Sequence, residues 1–304
     1  MEPFKIHIIG CGSALPTGKH TVSSQVVEIR NKMFLVDCGE GTQAQLRRSH
    51  IRFSKISHIF ISHLHGDHCL GLVGMLSSFG MLGRTAPIHI FAPAELEKVL
   101  QLQIDTFCHG LDYPLLFHAT ETTINKVIYE DHSVEVYSIP LQHRVPCCGF
   151  LFREKQGMPH IRRDIVDMYG ISVSQINNIK RGMDGVTASG ETIDNAQLVY
   201  PAEKARSYAY CSDTVYIPTL CGMLEGVDVL YHESTYGKDN EIMARKYMHS
   251  TAEQAATVAR DAHVGKLLLG HYSARYEDER VLLEEARSVF PDTVLSDEGM
   301  VIEV

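Results

Sequence analysis

The sequence predicts an α/β fold, a sandwich of two β-sheets with helices on the outside. Three observations carry this. Short apolar strands alternate with helical stretches through both halves of the chain. Ligand-type side chains fall just past apolar strands, where α/β folds place their sites. The 304 residues are 44% hydrophobic and 21% charged, the composition of an ordinary globular protein. At about 150 residues per domain, the length fits two domains or one large unit with an insertion. We expect one domain over 1–304 that carries an inserted arm.

The elements follow in order. Lys5 to Ile9 reads as a strand running into the turn Gly10-Cys11-Gly12-Ser13. Val22 to Ile29 and Met33 to Asp37 read as two more, with a polar break at Asn31. Glu40 to Ser49 is a short helix. Ile56 to Ser62 alternates with period two, as a strand does, and His63-Leu64-His65-Gly66-Asp67-His68 follows it directly. An apolar helix then runs to about Leu82. Pro87 to Phe91 is a strand, and Pro93 to Phe107 a helix that accepts proline in its first turn. Strands are expected near Leu115–Phe117, Val127–Tyr129, Val134–Ile139 and Gly149–Arg153.

The alternation breaks at 153–195, where clean periodicity is lost. Between 153 and 182, six basic residues (Arg153, Lys155, Arg162, Arg163, Lys180, Arg181) face three acidic ones (Glu154, Asp164, Asp167). This stretch reads as a protruding insertion without a core of its own. Beyond it, strands are expected at Ser207–Cys211, Val227–His232 and Lys266–Leu269. Helices are expected at Ile217–Leu224, Asn240–Met248, Ala252–Ala262 and Glu277–Val289. Ser250-Thr251-Ala252-Glu253 has the form of a capping box, and short strands near Val294 and Val301 close the chain.

Charge and cysteine usage narrow the function. The formal net charge of −9 excludes nucleic-acid binding through general surface basicity, though not through a local patch. None of the eight cysteines forms a CxxC pair, which argues against a cysteine-based zinc module or a thioredoxin-type site. The N-terminus shows no signal-peptide pattern, and the longest apolar stretch, Cys69 to Leu82, is too short to span a bilayer. The expectation is a cytoplasmic protein with free thiols and no membrane partner.

The chemistry concentrates in His63-x-His65-x-Asp67-His68. Imidazole nitrogen and carboxylate oxygen suit zinc and similar divalent ions. Gly66 lets the backbone turn between the two pairs of ligands. Three further candidates follow other strands: His143 after Val134–Ile139, Asp213 after Tyr208–Cys211, and His271 after Lys266–Leu269. Together with the loop they make up two open coordination spheres.

These residues, in this order and at these strand ends, resemble the metallo-β-lactamase superfamily. Further stretches narrow the resemblance to the ribonuclease Z family of tRNA 3′-processing endonucleases, in its short form. They are Gly10-Cys11-Gly12-Ser13-Ala14-Leu15-Pro16-Thr17, Val36-Asp37-Cys38-Gly39-Glu40-Gly41-Thr42, Ser62 through Leu72, His232-Glu233-Ser234-Thr235, His249-Ser250-Thr251-Ala252 and His271-Tyr272-Ser273-Ala274-Arg275-Tyr276. The resemblance spans essentially the whole chain. It implies the αββα fold of that superfamily and two zinc ions per subunit. His63, His65 and His143 would hold one, Asp67, His68 and His271 the other, with Asp213 bridging.

The same resemblance implies further roles. Asp67 also accepts a proton, and His249, oriented by Glu233, protonates the leaving ribose oxygen. Ser273, Arg275 and Tyr276 sit just after His271, and from the residues themselves a hydroxyl and a guanidinium there are expected to hold phosphate. Lys204 and Arg206 match a basic segment near the RNA 3′ end, and Lys180 and Arg181 match the basic return of a flexible tRNA-binding arm at 153–195. The comparable arm stretch, Tyr169 through Ile176, lacks the Gly-Pro tip that many members carry. The implied partners are precursor tRNA, not DNA, and a second copy in a homodimer. The products are a tRNA with a 3′-hydroxyl and a trailer with a 5′-phosphate. Two alternatives stay open: a small-molecule phosphodiesterase on the same metal pair, and a non-catalytic RNA-binding protein.

Overall fold

Period-two alternation sorts the strand side chains onto two faces, and each face has its own cover. In the computed structural model, which describes residues 2–304, Phe34 and Val36 face one way and Leu35 the other. Phe60 likewise opposes Ile59 and Ile61.

The first sheet has seven strands, ordered in space Val301–Glu303, Phe4–Gly10, Ser24–Ile29, Lys32–Val36, Ile56–Phe60, Ile88–Ala92 and Leu115–Ala119. It is mixed: pairing is antiparallel as far as Lys32–Val36 and parallel beyond. The second sheet, also of seven strands, runs Thr293–Leu295, Lys266–Gly270, Val229–Glu233, Ser207–Cys211, Cys147–Glu154, Val134–Leu141 and Val127–Glu130. Its first four strands pair in parallel, and Ser207–Cys211 meets Cys147–Glu154 antiparallel.

Phe4, Ile6, Ile8, Phe34 and Phe60 meet Val136, Phe150, Phe152, Tyr208 and Tyr210 in the buried core between the sheets. The rings of Phe60 and Phe91 stack 4.7 Å apart, and Phe152 meets Phe60 edge-on at 5.5 Å. The outer face of the first sheet is covered by the helices Thr42–Arg48, Leu72–Met81 and Glu95–Phe107, through Leu46, Leu76, Phe79, Leu100 and Ile104. Ala252–Asp261 and Arg280–Arg287 add Ala255, Ala256, Leu282 and Ala286 to the core of the second sheet. The layers are therefore helix, sheet, sheet, helix, as the sequence predicts.

Residues 154–205 form a separate compact unit. It holds the short helices Arg163–Met168, Ile176–Lys180 and Asn195–Leu198, and two two-stranded sheets. Contrary to the expectation of no core, Val166, Ile171, Ile179, Ile193 and Leu198 are buried against one another. Gly185 closes this cluster, because a Cβ there would lie 2.7 Å from both Ile171 and Leu198. Elements this short leave no periodic signature in the sequence.

Two local expectations are corrected. The helix expected over Ile217–Leu224 contracts to Leu220–Met223, preceded by Pro218, which has no N–H, and weakened by the poor helix former Gly222 within it. The capping box sits one residue later than expected. Thr251 Oγ1 accepts from Gln254 N at 3.2 Å, and Gln254 Oε1 accepts from Thr251 N at 3.0 Å. Ser250 donates instead to Thr214 O at 2.7 Å.

Candidate metal centre

Strand ends build the site. The loop after Ile56–Phe60 carries His63 and His65 and turns into the short helix Gly66–Cys69, which carries Asp67 and His68. His143, Asp213 and His271 follow the strands Val134–Leu141, Ser207–Cys211 and Lys266–Gly270 of the second sheet. Close approach of backbones lets the ligand loop seat: a Cβ on Gly39 would lie 2.2 Å from Asp67 O. Only glycine fits there.

All of the expected ligands converge, in two groups: His63, His65, His143 and Asp213, and Asp67, His68 and His271. In the first, His65 Nδ1 lies 3.1 Å from His63 Nε2 and 3.2 Å from His143 Nε2. In the second, His68 Nε2 lies 3.3 Å from His271 Nε2, and Asp67 Oδ2 lies 3.5 and 3.4 Å from the same two nitrogens. Asp213 stands between them. Its Oδ2 is 3.6 Å from His63 Nε2 and 3.7 Å from His143 Nε2, while its Oδ1 is 3.4 Å from His68 Nε2 and 3.1 Å from His271 Nε2.

The residues fit a metal pair on their own chemistry. Two ligands about 2.0–2.1 Å from one ion at near-tetrahedral angles stand about 3.3 Å apart. The buried Asp213 Oδ1 has no hydrogen-bond partner, a costly state unless a cation faces it. The far nitrogens of four of these candidate histidines are also engaged. His68 Nδ1 donates to Asp37 Oδ2 at 2.7 Å, and His143 Nδ1 to Met248 O at 2.8 Å. His63 Nδ1 donates to Ser62 Oγ at 3.0 Å, and His271 Nδ1 to Thr235 Oγ1 at 2.8 Å. Each bond fixes the tautomer that leaves Nε2 with its lone pair toward the centre.

Electrostatics agree. Burial opposes charge on Asp213, yet His271, His68 and His63 hold its carboxyl well below the usual carboxylate range. Burial likewise opposes charge on Asp67, and the neighbouring His271 and His68 outweigh it in the same direction. Beside the ligands, His249 Nδ1 lies 2.9 Å from Glu233 Oε1. Burial disfavours an imidazolium there, but the buried Glu233 carboxylate prevails and raises His249 to about 9. Glu233 also accepts from Thr214 N, Thr235 N, Thr235 Oγ1 and Ser250 N, so its orientation is fixed.

The centre opens into a cavity of about 550 Å³ lined by Pro16, His65, Arg144, Tyr236, Tyr247 and Arg275 among others. Ser273 and His249 also line it. Arg275 lies over the Tyr236 ring at 4.6 Å. Tyr276 does not line this cavity; its hydroxyl accepts from Gly237 N at 2.7 Å. Arg206 also stands apart, donating to Glu2 O at 2.8 Å and Val304 O at 3.3 Å and lying over Phe4. Lys180, Arg181 and Lys204 belong to the 154–205 unit.

Sequence reasoning assigned no role to Asp37, Ser62, Thr235 or the Ala14 N–H. Asp37 is fully buried at φ 54°, a left-handed conformation that Asp and Asn adopt more readily than other non-glycine residues. It accepts from Ser62 N, Ser62 Oγ, His68 Nδ1 and Tyr210 OH at 2.7–2.9 Å. Its one signal in the sequence is an acid placed directly after an apolar strand. Ala14 N donates to Asp67 Oδ2 at 2.7 Å; Ala14 lies in the Gly10–Thr17 stretch of the resemblance, but nothing there marks its N–H.

A family model described as anti-Pycsar protein Apyc1 matches residues 4–152. A ribonuclease Z of Bacteroides fragilis is 53% identical over 304 residues, covering all of both chains. A ribonuclease Z of Porphyromonas gingivalis is 45% identical over the same full length. Among solved structures, the short form of human tRNase Z has a TM-score of 0.70 at 23% identity and covers 98% of each chain. The metallo-β-lactamase fold protein YhfI of Bacillus subtilis has a TM-score of 0.70 at 19% identity and covers 100% of both. At such identities these two structures speak to the fold alone, and the fold is shared.

Proposed function

The chain belongs to the ribonuclease Z family, and from that premise we propose that it removes the 3′ trailer from precursor tRNA, leaving a 3′-hydroxyl on the tRNA and a 5′-phosphate on the trailer. It is a hydrolase of the metallo-β-lactamase fold and an endoribonuclease. The single observation that carries the finer reading is the position of Asp213, one oxygen toward His63 and His143 and the other toward His68 and His271. That is the arrangement a bridged metal pair requires.

We assign His63, His65 and His143 to one zinc ion, Asp67, His68 and His271 to a second, and Asp213 to both. Imidazole and carboxylate donors suit zinc. When bound, such a pair supplies Lewis-acid polarisation of the phosphate and brings the pKa of water toward neutrality. The protein's own groups complete the reaction. Asp67, held ionised and oriented by the Ala14 N–H, takes a proton from the attacking water. As water oxygen bonds to phosphorus, the bond from phosphorus to the ribose O3′ breaks. His249 has Nδ1 committed to Glu233, so Nε2 is the nitrogen that donates a proton to that oxygen. Ser273 and Arg275 hold the phosphate from the cavity wall. Tyr276 supports that wall through Gly237, and Arg206 braces the chain ends.

The unit at 154–205 acts as the arm that receives the tRNA body. Its Lys180, Arg181 and Lys204 make phosphate contacts that position the RNA without reading its sequence. The protein works as a cytoplasmic homodimer. Exposed Met81, Leu82, Leu102 and Phe107, on or next to Leu72–Met81 and Glu95–Phe107, suit the second copy. The eight cysteines, all free, suit a reducing compartment. Among the described residues no helix is long and apolar enough to cross a membrane.

The test is one cleavage assay. Zinc-loaded protein receives a labelled precursor tRNA with a 3′ trailer, the product ends are mapped, and Asp67→Ala is the control. A single cut after the discriminator base, lost in the variant, is the expected result. An intact precursor together with hydrolysed bis(p-nitrophenyl) phosphate would favour the small-molecule reading instead.

A further inference from the structure

The loop from Cys11 to Thr21 lies beside the metal centre without supplying a ligand. At its base is a buried charge cluster for which the reaction has no use. His20 is 7% exposed. Its Nδ1 lies 2.8 Å from Glu298 Oε2, and its Nε2 lies 3.3 Å from Glu279 Oε1. A neutral imidazole has a single N–H and would turn a lone pair toward one of these carboxylates. Protonated, it donates to both. Asp297 stands 4.0 Å away, Lys19 pairs with Glu279, the Cys11 thiol is 3.4 Å from Nδ1, and the Tyr272 ring packs at 5.5 Å. Burial works against the charge, but Glu298 and then Glu279 outweigh it and raise the His20 pKa.

The cluster is tied to the reacting groups by short links. Glu298 Oε1 accepts from Thr21 N at 2.8 Å and Cys11 N at 3.4 Å, while the Thr21 hydroxyl, 3.2 Å from it, donates to Ile9 O at 2.9 Å. Tyr272, next to His271, is bonded to the loop on both sides: its N–H donates to Cys11 O and its carbonyl accepts from Ser13 N, each at 3.0 Å. The loop tip carries Ala14, at φ 56°, whose N–H reaches Asp67. That conformation is costly for a residue such as alanine.

We propose that His20, as a buried imidazolium between Glu279 and Glu298, is a positioning residue that holds this loop so that the Ala14 N–H fixes the Asp67 carboxylate. The proposal rests on the role given to Asp67 above. Without the cation, Glu279 keeps Lys19 but Glu298 Oε2 loses its partner and faces a second carboxylate, so Glu298 is drawn from the place in which it holds Thr21 and Cys11. Cys11, His20 and Glu298 also form a group that could hold a metal ion. The charge reading is favoured because their atoms are already matched: the Cys11 thiol donates to Ser296 O at 3.5 Å, and Glu298 Oε1 has two backbone N–H donors.

The experiment compares His20→Gln and His20→Arg with wild type. Arginine keeps a permanent cation but does not ligate metal. For each, kcat and KM are measured on precursor tRNA and on bis(p-nitrophenyl) phosphate, with metal content and melting temperature. H20Q is expected to lower kcat about 10- to 100-fold, the usual cost of losing support behind a metal ligand, with KM for precursor tRNA unchanged. H20R is expected to restore most of the rate at wild-type metal content. H20Q at the wild-type rate overturns the proposal. So does H20R as slow as H20Q, and one metal equivalent missing from both would identify the cluster as a metal site. If H20Q does not fold, H20R decides: near wild-type kcat upholds the proposal, and a tenfold loss overturns it. Wild-type protein that cuts the small diester but not precursor tRNA would refute the tRNA reading, while the His20 comparison would still be read on the diester.

Discussion

Replacing Asp37 by Asn removes one charge and changes almost no volume. Asn also tolerates the φ of 54° at this position, so the backbone is not the target. What changes is the pattern of donors. Asp37 Oδ1 accepts from Ser62 N at 2.8 Å, and Oδ2 accepts from Ser62 Oγ, His68 Nδ1 and Tyr210 OH. An amide has two orientations there, and neither works. With its NH₂ toward Ser62 N, two donors face each other in a dry site. With its NH₂ toward His68, the hydroxyls can rotate but the imidazole must switch tautomer. The proton then moves to Nε2, the nitrogen 3.3 Å from His271 Nε2, and the lone pair meant for the metal is lost.

An unsatisfied buried donor costs about 1–3 kcal/mol. Loss of the bond behind a ligand histidine lowers metal affinity about 10- to 100-fold. Asp37→Asn should therefore melt below wild type and weaken the ion assigned to Asp67, His68 and His271. The ion assigned to His63, His65 and His143 should be affected less. Competition with a chelator, followed by metal analysis and by hydrolysis of bis(p-nitrophenyl) phosphate, reads this directly. Two ions bound with wild-type affinity in D37N would refute the reasoning.

Other outcomes follow from the same geometry. His249→Ala should cut precursor tRNA about 10²- to 10⁴-fold more slowly. It should hydrolyse bis(p-nitrophenyl) phosphate nearly as wild type, because nitrophenolate leaves without a proton; equal losses on both substrates would deny it the role of acid. Lys180→Ala with Arg181→Ala should weaken tRNA binding and flatten its salt dependence by about 0.7–0.9 per lost phosphate contact, with the small diester unaffected; filter binding across a salt series tests this. Stability should also depend on pH through His20. Its folded pKa is raised, so its contribution is complete below the unfolded value near 6.5 and fades as pH rises through the folded one. Melting curves should show that decline in wild type and a shallower one in H20R.

Much of this molecule was legible from the chain alone. The period of two along Ile56–Phe60 marks a strand buried on alternate sides, and the residues after it are marked by their chemistry. His143, Asp213 and His271 were legible for the same reason, each standing just past an apolar strand. Other features left no trace. The capping box shifted by one residue because Ser250 and Thr251 are chemically alike, and only packing sends Ser250 to Thr214 O. Tyr276 and Arg206 match a family pattern, yet the fold turns the tyrosine hydroxyl to Gly237 and the guanidinium to Glu2 and Val304.

The sequence by itself determined the two sheets, their flanking helices and the set of ligand-type side chains. Each of these rests on local periodicity or on the identity of a few adjacent residues. Only the tertiary structure decided which nitrogen each histidine presents and how Asp67 is held. Those depend on hydrogen bonds between residues far apart in the chain, such as Asp37 with His68, Ala14 with Asp67 and His143 with Met248. A bond of that kind has no period and no motif, and it exists only once the backbone has folded.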